Sequence, residues 1–233
     1  MTPPPLPPQP SGRNATPTSE DAAKLSSGEV IKGLLTHPER FEDWLAEPAA
    51  AGVGRRLAFL VVAGTLLYGL VVGSFSGGTQ WWAAPVKMAA GIALTTLLCL
   101  PSFYVFTCLA GLEIRPARIG VLLAAMLAID FVLLASLAPV AWIFSQSSES
   151  VAVMGFIHLL LWGVASGFGF RWITRSASGG TPHPVVHVWC ALFLLVSLQM
   201  TTALRPIVGK ADTLLPMEKR FFLEHWGKTL SAQ

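Results

Sequence analysis

The chain has 233 residues, 53% of them hydrophobic and only 12% charged, about half the charged share of ordinary soluble domains. Its 16 basic and 13 acidic residues give a formal charge of +3, too small and too scattered to argue for nucleic acid. The three cysteines, Cys99, Cys108 and Cys190, all fall in apolar stretches; they fit neither a disulfide framework nor a zinc ribbon and read as small apolar residues.

Residues 1–25 are polar and rich in proline, from Pro3 to Pro17. Such a segment cannot bury enough apolar surface to offset chain entropy, so the expectation is a disordered tail. An apolar signal-peptide core is not expected there. Residues 26–54 predict two short amphipathic helices. The first presents Val30, Ile31, Leu34 and Leu35. The second opens with Thr36-His37-Pro38-Glu39, which matches a capping box, and presents Phe41, Trp44 and Leu45 on one side. The remainder of that second helix is largely acidic, unlike a helix made for anionic lipid. Docking of Phe41, Trp44 and Leu45 against a protein surface is therefore the preferred reading.

Long blocks without charge follow. No Asp, Glu, Lys or Arg occurs between Lys87 and Glu113, nor between Arg175 and Arg205. Each block exceeds the roughly 20 apolar residues that cross a ~30 Å hydrocarbon layer as a helix, and lipid requires every backbone polar group to be paired internally. The predicted fold class is all-α, a polytopic membrane bundle of about five transmembrane helices with amphipathic flanking helices. The transmembrane domain is placed at 55–208, with spans at 57–75, 86–112, 119–144, 151–172 and 185–208. Trp81 and Trp82 read as interfacial anchors, and Pro101 predicts a kink in the second span. Residues 209–233 predict an amphipathic tail. Arg55 and Arg56, Arg115 and Arg118, and Arg171 and Arg175 mark alternate connections. The positive-inside rule then predicts a cytoplasmic N-terminus and a C-terminus on the opposite side, and the expected location is a bacterial inner membrane.

Asp130 sits near the middle of the third span, where insertion of an Asp costs about 2.5–3.5 kcal/mol. His158, Gln199 and Tyr68 are predicted at comparable depth, so the four side chains form a candidate intramembrane polar cluster. A proton relay or cation site is one reading; interhelical hydrogen bonding that fixes helix order is the other, and we favour it. His183, His187 and Cys190 have helical spacing, but Pro184 interrupts it and a fourth ligand is lacking, so interfacial histidines are expected and no metal. Ser166, within Gly163-Val164-Ala165-Ser166-Gly167, with His187 as base is a remote intramembrane-hydrolase reading. Helix packing is the simpler account of two small-xxx-small pairs, Gly69 with Gly73 and Gly163 with Gly167. No catalytic residue and no cofactor is expected.

The polar N-terminal region, five closely spaced spans and the segment Pro101-Ser102-Phe103-Tyr104 resemble the Yip-type (Ypt-interacting) five-span membrane proteins over about residues 55–208. Eukaryotic members of that family are trafficking factors that engage small GTPases. The resemblance implies a non-enzymatic membrane scaffold and transfers no site residues. The expected function is therefore a scaffold or adaptor that recruits protein partners, or a second copy of itself, in the lipid bilayer. The alternative is a small transporter or channel subunit that uses the intramembrane carboxylate.

Overall fold

The computed structural model describes residues 26–36, 50–112, 114–179 and 183–204. All secondary structure among them is helical: α1 (Ser27–Thr36), α2 (Ala50–Ser76), α3 (Gln80–Leu109), α4 (Pro116–Ser147), α5 (Val151–Ser176) and α6 (Pro184–Ala203). The helices α2 to α6 are each long and apolar enough to cross a membrane. The protein is thus a multi-pass helical membrane protein.

Several helices extend beyond the predicted spans, because a helix does not stop where the hydrocarbon does. Arg55 and Arg56 lie inside α2, not before it, and α3 begins at Gln80, so Trp81 and Trp82 belong to its first turn. Both tryptophans are exposed. At its other end α3 stops three residues short of the predicted Leu112. Gly111 adopts φ 70°, the Gly111 N–H donates to the Cys108 carbonyl and the Leu112 N–H to the Thr107 carbonyl, both at 3.0 Å. That is the left-handed glycine stop that satisfies the last orphan carbonyls of a helix. Ser150 caps α5 by accepting from the Val153 N–H. Pro184 occupies the first turn of α6, where its missing N–H costs nothing.

The short α1 lies against α2 and α4, with Val30, Gly33 and Leu34 buried. Leu35, assigned to its apolar face from the sequence, is exposed, since it lies one position off the Val30–Leu34 stripe. The capping box sits at the start of α1. Ser26 Oγ accepts from the Glu29 N–H at 3.2 Å, and Glu29 Oε2 accepts from the Ser26 N–H at 2.6 Å. Thr36 ends α1, with its hydroxyl donating to the Lys32 carbonyl. The second predicted amphipathic helix with Phe41, Trp44 and Leu45, the proline-rich tail and the C-terminal tail lie outside the described residues.

The helix α4 is the axis of the bundle, with 61% of its most apolar stretch buried against only 22% for α3. It packs between α2 and α5, while α3 lies beyond α2 and carries α6. Lipid tails are as apolar as leucine, so association of such helices depends on close contact and not on hiding oil from water. Gly64 illustrates it: a Cβ there would stand 2.8 Å from Phe131 Cβ on α4. On α6, Trp189 stacks on Phe103 of α3, and its Nε1–H donates to the Cys99 carbonyl and Ser102 Oγ, beside Pro101. The outward faces are coated with large apolar side chains such as Phe59, Leu97 and Leu109, as a lipid solvent requires.

Candidate functional site

Asp130 is 3% exposed in the middle of α4. A buried carboxyl needs donors, and one is provided by α5: Ser166 Oγ donates to Asp130 Oδ2 at 3.3 Å. The antiparallel α4–α5 hairpin turns at 148–150 and brings these two positions level. The opposite oxygen, Oδ1, has no hydrogen-bond partner. It rests against Gly169, where an added Cβ would overlap it. Gly169 lies three residues after Ser166 and so on the same helical face; the absent side chain provides the seat for the carboxyl. Asp130 is thus enclosed by a hydroxyl, a glycine and apolar neighbours.

The remaining candidate residues gather elsewhere. Tyr68 Oη lies 2.9 Å from His158 Nδ1, and the two rings meet edge to face at a centroid distance of 5.6 Å. This contact ties α2 to α5 across the bundle. His158 Nε2 is buried without a partner. His158 and Ser166 are eight residues apart on α5, which separates the two polar pairs by about 12 Å along the helix axis. Of the four residues expected to cluster, Tyr68 and His158 therefore meet each other, while Asp130 pairs with Ser166 instead. Gln199 is half-buried on α6.

The glycines divide as well. On α2, a Cβ at Gly69 would meet the backbone of Pro85, and one at Gly73 the Gln80 carbonyl of α3. These two positions let the α2–α3 hairpin close. Gly163 and Gly167 do not pack inside the chain: a Cβ at either would meet nothing within 4 Å among the described residues. Packing by that pair does not occur among the described residues, because α5 turns that stripe outward and uses Gly169 for its close approach to α4.

Ser166 serves Asp130 and not His187, whose Nδ1 lies 3.1 Å from the His183 carbonyl oxygen. His183 itself caps α6, its Nδ1 accepting from the Val185 N–H at 3.3 Å. These contacts give both histidines local backbone roles at a helix start. The two residues that sequence reasoning missed are Gly169 and, as the partner of Asp130, Ser166. A small residue three positions from a serine was visible in the sequence, but the register that sets both opposite Asp130 was not. The fold explains why these residues meet; the chain matches no family model, no curated protein and no solved structure.

Proposed function

We propose that the protein is a non-enzymatic membrane scaffold, a rigid helical bundle that positions its polar N-terminal region for protein partners or a second copy. The observation that carries this reading is the enclosure of Asp130. Its one hydroxyl partner comes from the neighbouring helix, Gly169 closes its other side, and the second polar pair lies two turns away. A carboxyl so placed fixes the register of α4 against α5, and an interhelical hydrogen bond of this kind contributes roughly 1 kcal/mol. At the base of the bundle, Val30 and Leu34 tie α1 to α2 and α4, so the point where the polar N-terminal region joins α1 is fixed on the bundle. The alternation of basic connections supports a cytoplasmic N-terminus and, with it, an inner-membrane location in a bacterium. The five-span order with a polar N-terminal region is the ground for a Yip-type assignment.

A second reading, a small transporter or channel subunit, draws on one observation: Asp130 Oδ1 and His158 Nε2 are buried without partners. Proton and cation flux into liposomes that contain the wild-type protein or Asp130→Asn separates the two. Asn retains an acceptor for Ser166, so the variant should insert and fold normally, within about 1 kcal/mol of wild type. The scaffold reading expects no flux from either protein. Flux through the wild type that disappears in Asp130→Asn overturns it in favour of conduction.

A further inference from the structure

The ends of the helix row, α5 and α6, touch only sparsely and leave between them a groove of about 490 Å³. Along most of its length the walls are apolar, with Gly167 and Phe170 on one side and Leu194 on the other. One end is cationic: Arg171 and Arg175 in the last turns of α5, faced by His187 from the first turn of α6. The two arginines are exposed and stand one helical turn apart, about 6 Å. Neither α5 nor α6 carries an Asp or Glu, so among the described residues the groove walls hold no carboxylate to neutralise them.

Steps of four residues from Arg175 lead to Arg171, Gly167 and Gly163. The stripe therefore begins with two guanidinium groups and continues, toward the middle of the span, with two positions that have no side chain and open space above them. A soluble anion would use the cationic end alone and leave the apolar trough unfilled. A phosphate joined to a hydrocarbon chain matches both parts at once. Basic pockets between transmembrane helices at the cytoplasmic surface suit anionic headgroups for the same reason, and guanidinium forks are well shaped for phosphate oxygens. A headgroup with its own cation would set that charge beside two arginines.

We propose that the α5–α6 groove holds one anionic phospholipid, with its phosphate on Arg171 and Arg175 and an acyl chain along Gly167 and Gly163. The test titrates the full-length, detergent-solubilised protein with phosphatidylglycerol or phosphatidylcholine and counts bound lipid by native mass spectrometry. One phosphatidylglycerol should bind saturably and more tightly than phosphatidylcholine. Replacing both arginines (Arg171→Gln with Arg175→Gln) should weaken it about 30-fold, at roughly fivefold for each surface cation removed. Gly167→Leu, whose side chain has room in the trough, should abolish binding while the lipid-free protein melts as wild type does. Equal affinity for the two lipids, or unchanged binding in the arginine variant or in Gly167→Leu, overturns the proposal. So does displacement of the lipid by millimolar inorganic phosphate, which would make the cationic end a site for a soluble anion.

Discussion

On α2, Gly69 and Gly73 sit against the backbone of α3; on α5, Gly163 and Gly167 have the same spacing and face open space. Sequence pattern alone does not separate the two pairs, but their connections do. Three residues, 77–79, join α2 to α3, with Gly77 and Gly78 at φ 66° and 54°. A turn that short forces the two helices side by side, and only glycine lets the backbones meet. The connection from α5 to α6 runs over 177–183, which leaves α6 free to settle on α3, where Trp189 finds its partners. A small-xxx-small motif in lipid is a permission for close approach, and chain connectivity decides whether it is used.

The comparison can be broken at its strongest point first. Gly73→Leu drives a side chain into the Gln80 carbonyl, and backbone cannot yield as a flexible side chain can. A loss of about 3 kcal/mol is expected, at the upper end of ordinary overpacking, read as thermal unfolding in detergent micelles beside Gly167→Leu, which should change stability by less than about 0.5 kcal/mol. Equal losses at the two positions would end the distinction. Gly169→Ala comes next: the new methyl group must displace the Asp130 carboxyl, at about 2 kcal/mol, although the same change in an open helix position would stabilise. A variant as stable as wild type would mean that the carboxyl moves aside freely and that Gly169 is no seat.

The smallest effect lies outside the membrane. The bonds that Glu29 makes with the Ser26 backbone and hydroxyl hold its carboxyl below the ordinary value of 4.5. A depressed folded-state value adds stability at pH above the unfolded value, and that stability is lost as pH falls through the folded one. The start of α1 should therefore fray below about pH 4.5, seen as faster hydrogen exchange over 26–36 with no change in α2 to α6. Exchange rates that keep the same protection ratio from pH 6 to 3 would show that the capping box does not hold α1.

The five spans were readable because uncharged blocks longer than a bilayer is thick permit little else. Helix ends were less so. Lipid boundaries and helix boundaries coincide only where a cap stands, as at Ser150, and the glycine stop at Gly111 was hidden inside an apolar run. At the N-terminus, Thr36 to Glu39 and Ser26 to Glu29 carry the same capping pattern, and the described residues show it used at Ser26. The candidate site was half legible. Asp130 stands out wherever it is read, since a mid-span carboxyl is expensive, and Tyr68 and His158 could be placed at one depth by counting from the helix ends. The Ser166 and Gly169 seat depends on the rotation of α5 about its own axis, which no one-dimensional pattern fixes. Gln199, at a plausible depth, lies on a helix that packs on α3 and scarcely touches α5.

The pairing of Asp130 with Ser166 spans 36 residues of chain, and the ribosome makes them in order. At 5–20 residues per second the carboxyl emerges about 2–7 s before its hydroxyl does. Alone in hydrocarbon through that interval, α4 would carry its least tolerable residue with nothing to meet it. Biogenesis therefore favours delivery of α4 and α5 as a single hairpin, with the third span held at the insertion machinery until the fourth arrives.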